Sequence, residues 1–192
     1  MRLGVLVSGR GSNLDAVLTA SLPGLDPVLV VSNRPGVRAL EVAAAHDVPA
    51  RVLRRGDHGG DPSARDAAIG AAFEHAGADL VLLAGYDQLL GPAYFAAYSG
   101  RTINIHPSLL PAHGGRGMLG LAVHRSVLAA GDPETGVTIH EVSADLDAGP
   151  ILAQARVPVL AGDDPETLAA RVLAGEHRLL VATLAEIAAE RR

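Results

Sequence analysis

The chain reads as an α/β fold in one domain, a mostly parallel central sheet flanked by helices, and three observations carry that reading. Residues 3–7, 28–31 and 80–83 are short apolar runs without polar alternation, as expected of strands buried on both faces of a parallel sheet. The first two runs are followed by turn residues and then by helical apolar spacing, the order of a strand-helix-strand unit. Finally, Thr102-Ile103-Asn104-Ile105-His106-Pro107 alternates as a strand, with Asn104 and His106 on one face and Pro107 ending the ladder.

Composition narrows the function classes. The 192 residues suffice for a sizeable core, 48% of them are hydrophobic and 3% aromatic, and the formal net charge is -5. No run is long enough to span a membrane, and no signal-peptide pattern precedes the first strand, so a cytoplasmic protein is expected. Cysteine is absent, which excludes disulfides, thiol nucleophiles and cysteine zinc sites. Lysine is absent as well, so Schiff-base chemistry on lysine is excluded. Without a basic run interleaved with aromatics, nucleic acid is not an expected partner.

Taken in order, strand 3–7 leads into Ser8-Gly9-Arg10-Gly11-Ser12-Asn13 and a helix with Leu14, Val17 and Leu18 on one face. Such a turn aims helix N-terminal amides outward and can hold a phosphate. It is no dinucleotide fingerprint, because Leu14 replaces the third glycine and Ser32-Asn33-Arg34 stands where the acidic residue belongs. An unliganded tight turn is the alternative. The second strand is followed by a helix over 37–45 and a third strand over 51–53. Residues 54–61 read as a mobile loop, where glycines argue against a metal site at Asp57, His58 and Asp61. Asp61-Pro62 starts a helix running to Gly77, with Ala64, Ala67, Ala68, Ala71 and Ala72 expected to allow close packing. Strand 80–83 ends in a loop containing Tyr86, Asp87 and Gln88, and a helix over 92–98 precedes the Asn104/His106 strand.

Residues 108–117 read as loop, 118–130 as helix, 137–142 as strand, 143–150 as loop and 151–159 as strand. Asp164-Pro165 then caps a long helix on which Leu168, Val172, Glu176, Leu180 and Leu184 recur every four residues. A carboxylate in an apolar stripe needs a partner. Glu176 therefore reaches sideways to solvent or an Arg, or reaches polar groups of a substrate.

An amide able to donate to a developing oxyanion beside an imidazole able to move a proton suits acyl or formyl transfer. The alternative is a strand with a satisfied amide and a surface histidine. A carboxylate would raise the imidazole's pKa and orient it, and Asp147, before Ala148-Gly149-Pro150, is the better candidate than Asp145. His113 and His140 read as structural.

Asn104-Ile105-His106-Pro107-Ser108-Leu109-Leu110-Pro111, together with Ser8-Gly9-Arg10-Gly11-Ser12-Asn13-Leu14, Leu146-Asp147-Ala148-Gly149-Pro150 and Glu176-His177, closely resembles the phosphoribosylglycinamide formyltransferases, within the folate-dependent formyltransferase family. The resemblance spans essentially the whole chain. It implies a single-domain Rossmann-like formyltransferase fold over 1–192, with the ribonucleotide phosphate site in the N-terminal half. The folate site and catalytic residues would lie in the C-terminal half. It implies formyl transfer from 10-formyltetrahydrofolate to the amine of glycinamide ribonucleotide, with no metal.

By that resemblance Gly11, Ser12 and Asn13 hold the phosphate, Glu176 contacts the ribose or glycinamide end, Asn104 stabilises the oxyanion, His106 donates the proton, and Asp147 raises its pKa. The formyl folate would lie against Asp87, Gln88, Leu89, Leu90, Asn104, Ser143, Ala144, Asp145 and Leu146. The expected partners are small molecules only, with no nucleic acid or membrane, and the protein would be a monomer or homodimer. The chain departs from the family at Asp87-Gln88, where Met-Arg is frequent. A family Arg before the third helix has no clear counterpart, although Arg54, Arg55 or Arg65 are candidates. Gly114-Gly115-Arg116-Gly117 replaces an aromatic-Pro-Gly sequence, leaving Arg116 an unassigned candidate for substrate contact. Methionyl-tRNA formyltransferase and formyltetrahydrofolate deformylase share the catalytic trio but add domains for which this length leaves no room. A folate- or phosphate-binding protein without catalysis would make no use of the trio.

Overall fold

The computed structural model describes residues 1–143 and 147–190. Seven strands form one sheet in the order β3-β2-β1-β4-β5-β6-β7. The chain divides into two compact units, residues 1–103 with 184–192, and residues 104–183.

In the first unit β1 (Arg2–Val7) pairs in parallel with β2 (Asp26–Ser32) and β4 (Leu80–Leu83), and β2 pairs with β3 (Ala50–Val52). Residues 3–7 of β1 and all of β4 are apolar and buried, as their lack of alternation demands, while Arg2 at the start of β1 is exposed. Around them run α1 (Ser12–Ala20), α2 (Arg38–Ala45), α3 (Pro62–His75) and α4 (Pro92–Ala97). α3 begins at the expected Asp61-Pro62, where the Asp61 side chain accepts from the Ser63 amide at 2.8 Å.

Its packing differs from the sequence expectation. Ala64 and Ala71 are exposed, and the closest approach falls at Gly70, where a Cβ would meet the Tyr94 carbonyl oxygen of α4 at 2.7 Å. Arg65 and Asp66 are buried instead. Asp66 Oδ1 lies 2.5 Å from Arg65 Nη2, and Asp66 Oδ2 accepts from the Gly91 amide at 2.8 Å, so the pair also caps the start of α4. Residues 54–61, expected as loop, contain a 3-10 turn over Arg55–His58 tied by the Arg54 guanidinium to Asp57 at 2.6 Å.

The second unit holds the end of β5 (Arg101–His106), α5 (Leu121–Ala130), β6 (Glu134–Glu141), β7 (Ile151–Pro158) and most of α6 (Pro165–Glu190). β6 and β7 are antiparallel, with a bulge between Ile139 and His140. α5 starts three residues later than expected, because Gly120 takes φ 51° and ψ -131°, a conformation outside the helical region. Asp164 caps α6 through its Oδ1, which accepts from the Thr167 amide at 2.7 Å. Leu168, Val172 and Leu180 are fully buried on its inner face, and Gly175 brings it close to Val137 and Val157.

Candidate active site

The glycine turn after β1 is built for close approach. Gly11 has φ 74°, and a Cβ there would meet Ala39 Cα at 2.7 Å, so both conformation and space require glycine. The N-terminus of α1 carries no side-chain cap at Gly11, which leaves first-turn amides without that partner. Ser12 is half-buried and Asn13 buried.

Asp87 is held at the carboxyl edge of the same unit. Asn33 Nδ2 donates to its Oδ1 at 2.9 Å, Arg34 pairs with its Oδ2, and its amide donates to Ser8 Oγ at 3.0 Å. Of the Ser32-Asn33-Arg34 stretch at the end of β2, Asn33 and Arg34 are thereby tied to the loop after β4. Gln88 and Leu89 are exposed and Leu90 is buried. Of the candidate substitutes for the family Arg, Arg54 is paired with Asp57, and the Arg55 guanidinium donates to the Gly60 carbonyl. Arg65, 3% exposed, is committed to Asp66 and the Leu89 carbonyl.

In the second unit the structure brings Asn104, His106 and Asp147 together, as expected, and adds His140. His106, 5% exposed, donates from Nε2 to the His113 carbonyl at 3.0 Å. A backbone carbonyl can only accept, so Nδ1 is the nitrogen left to exchange a proton, and it lies 4.0 Å from Asp147 Oδ2. Asp147 has a left-handed backbone, φ 52°, which an Asp tolerates better than most residues. Its Oδ2 accepts from the Gly115 amide at 2.8 Å, and its Oδ1 is 3.7 Å from His140 Nε2.

His140, 2% exposed, donates from Nδ1 to the neighbouring Glu141 carbonyl at 2.9 Å. Burial pushes its pKa down, reinforced by His106 and opposed by that hydrogen bond and by Asp147. The neutral ring therefore offers Nε2 as an acceptor, and Asn104 Nδ2 donates to it at 3.1 Å. This fixes which way the Asn104 amide faces and leaves its second N–H for a ligand. His124 on α5, also buried, has its pKa pushed below the ordinary value by desolvation and by the nearby His106.

Behind these groups Thr138 locks the loop that follows β5. Its hydroxyl donates to the Ser108 carbonyl at 2.7 Å and accepts from the Leu110 amide at 3.0 Å and from Gln154 Nε2 at 2.9 Å. One donor and two acceptor sites are all used. His140, read from the sequence as structural, stands against Asn104 and Asp147, and Thr138 braces the loop behind them. Their signal was the same two-residue spacing that singled out Asn104 and His106.

Glu176 is 8% exposed, so the alternative in which it reaches solvent is removed. Ser143 is exposed, and Ala144, Asp145 and Leu146 lie outside the described residues. Arg116 is exposed on the glycine-rich loop. Among the described residues no group of three or more His, Asp or Glu side chains is arranged to hold a metal ion, and no helix is long and apolar enough to cross a membrane.

A mostly parallel sheet with an imidazole, a carboxylate and an oriented amide gathered in one place has the build of a transfer enzyme, and the chain belongs to the formyl transferase family, whose model matches residues 1–184. Within that family it is similar to phosphoribosylglycinamide formyltransferases. It is 47% identical to the one from Mycobacterium tuberculosis, over 97% of this chain and 85% of the relative. With the chloroplastic enzyme of Arabidopsis thaliana it shares 39% identity, covering 99% of this chain and 66% of that longer protein. The crystal structure of glycinamide ribonucleotide transformylase 1 from Symbiobacterium toebii superposes with a TM-score of 0.91 at 38% identity, covering 100% of this chain and 89% of that one.

Proposed function

We propose that this chain transfers the formyl group of 10-formyltetrahydrofolate to the amine of 5-phosphoribosylglycinamide in de novo purine biosynthesis. The observation that carries the reading is the Asp147 carboxylate standing between two imidazoles, 4.0 Å from His106 Nδ1 and 3.7 Å from His140 Nε2, with the Asn104 amide turned by His140. The folate supplies an activated formyl carbon and a nitrogen leaving group. As the amine bonds to that carbon it must shed a proton, and the departing nitrogen must gain one. His106 Nδ1 is the group that moves it, because Nε2 is already committed to the His113 carbonyl. Asp147 stabilises the imidazolium while that proton is held. Asn104 donates its remaining N–H to the formyl oxygen as negative charge develops there.

Gly11, Ser12 and Asn13 would bind the phosphate through helix N-terminal amides. Glu176 would contact the ribose or glycinamide end. Asp87, Gln88, Leu89, Leu90 and the 143–146 loop would meet the folate. This reading implies a cytoplasmic protein acting as monomer or homodimer on small molecules alone, without a metal.

The test is a steady-state assay with 10-formyltetrahydrofolate, with and without the ribonucleotide, beside His106→Ala and Asp147→Asn. Turnover should require the ribonucleotide and fall by about 10²- to 10⁴-fold in each variant. Turnover with water alone would instead define a deformylase, and ribonucleotide binding without turnover would reduce the site to a pocket.

A further inference from the structure

The loop between β5 and α5 reaches the proposed catalytic pair with its main chain at two points. The His113 carbonyl accepts from His106 Nε2 at 3.0 Å, and the Gly115 amide donates to Asp147 Oδ2 at 2.8 Å. Two main-chain arms, two residues apart, thus set both members of the pair. Such arms are only as accurate as the loop that carries them. This loop is intrinsically loose, since Gly114, Gly115, Gly117 and Gly120 lie within seven residues, three of them at positive φ.

Its anchor is the His113 side chain. His113 Nδ1 is 2.8 Å from Ser126 Oγ in the middle of α5, and Nε2 is 2.7 Å from Asp132 Oδ2, two residues beyond its end. The imidazole therefore spans both features from a single residue. The clamp also holds in either charge state. With Nε2–H on the carboxylate, a rotating hydroxyl donates to Nδ1 of the neutral ring or accepts from it in the charged one. His113 adopts φ 54°, an uncommon left-handed conformation that persists where the surroundings over-determine it. Ser108 Oγ steadies the same stretch by donating to the Ala112 carbonyl at 2.7 Å.

We propose that His113 is a positioning residue for the transfer reaction: clamped between Ser126 and Asp132, it fixes the carbonyl that keeps the His106 proton on Nε2 and so leaves Nδ1 to face Asp147. The inference rests on the reading of His106 and Asp147 as the proton-transfer pair. His113 touches no reacting atom in this scheme; it acts through His106.

The test compares His113→Asn, Asp132→Ala and Asp132→Asn in the full chain. Asn tolerates the left-handed backbone but cannot span to both partners, and the Asp132 side chain is 40% exposed, so its removal leaves no buried charge. In His113→Asn and Asp132→Ala, kcat per folded molecule should fall by about 10- to 100-fold with KM for both substrates within about twofold, the signature of misplacement rather than lost binding. Asp132→Asn keeps an acceptor for His113 Nε2 and should retain most of the rate. The double variant His113→Asn/Asp132→Ala should lose no more than the worse single, since both break one clamp.

A two-dimensional ¹H–¹⁵N spectrum of histidine-labelled protein reads the tautomer directly. The His106 signal, assigned by its loss in His106→Ala, should report Nε2–H in the parent and a mixture of tautomers in the two disruptive variants. An unchanged tautomer with a rate loss that merely follows the unfolded fraction would overturn the proposal, as would unaltered kcat in both. If His106→Ala itself turns over normally, the catalytic reading fails, while the tautomer spectrum still reports whether the clamp acts on His106.

Discussion

In residues 1–103 the buried charge is closed into a direct pair: Arg65 Nη2 lies 2.5 Å from Asp66 Oδ1, and the second carboxylate oxygen takes the Gly91 amide. In residues 104–183 the Asp147 carboxylate takes the Gly115 amide but stands 3.7 and 4.0 Å from two imidazoles, beyond direct hydrogen bonding. The Arg65–Asp66 pair is buried, whereas the Asp147 side chain keeps 11% of its surface exposed. The first arrangement has nothing left to give and works as a rivet between α3 and α4. The second leaves the carboxylate short of both imidazoles, held there by the Gly115 amide, and on the proposed function it stabilises an imidazolium without taking its proton. On the proposed function, the closed pair serves the fold and the open carboxylate serves the reaction.

Substitutions at the two places should therefore fail in opposite ways. His106→Ala should lower kcat by about 10²- to 10⁴-fold while the melting temperature barely moves. Asp66→Ala should lower stability by about 3–5 kcal/mol, because it strands a buried guanidinium, with kcat per folded molecule close to the parent value in an assay well below the melting temperature. A large rate effect at Asp66 would erase the distinction. Thr138→Val lies between them. Leaving the Leu110 amide and the Ser108 carbonyl without that hydroxyl should cost about 1–3 kcal/mol in denaturant melts, with Thr138→Ser near neutral.

Acid should weaken the second region first. His140 and His124 both have pKa values pushed below the ordinary 6.5 by burial. The unfolded chain therefore takes up protons before the folded one does as pH falls through 6.5. Their stabilising contribution is complete above that pH and is lost on the way down. His140→Gln should flatten the stability profile below pH 6.5, and equal slopes in parent and variant would contradict the assignment. The smallest effect is just ahead of α6, where Arg171 holds the Asp163 carboxyl at about 2 with two contacts of 2.6 Å. Arg171→Ala should return that carboxyl toward its ordinary 3.8, visible as a shifted carbon-13 titration, with no change in kcat.

The parallel strands were legible because burial on both faces writes an unbroken apolar run, as in 3–7 and 80–83. Asn104 and His106 were legible for the opposite reason, two polar groups at period two just before a proline. Arg65 and Asp66 were not, because adjacent charges on an alanine-rich helix look like its wet side; their burial follows from Gly70 admitting α4 and from the Gly91 amide needing an acceptor. The late start of α5 was hidden in the Gly120 backbone. His140 read as structural because the sequence does not show which of its nitrogens carries the proton, and that is set by the neighbouring Glu141 carbonyl rather than by its own letter in the chain.

That carbonyl is reachable only because residue 149 has no side chain: a Cβ on Gly149 would overlap the Glu141 oxygen. An alanine there would look like a loop lesion remote from the reacting atoms. Its damage would travel as misinformation, however: a displaced carbonyl frees the His140 proton to switch nitrogens, and an amide on another strand is then told to face the wrong way. On the proposed function, the absent methyl group at residue 149 thus helps decide, through the Glu141 carbonyl and His140, which way the Asn104 amide faces.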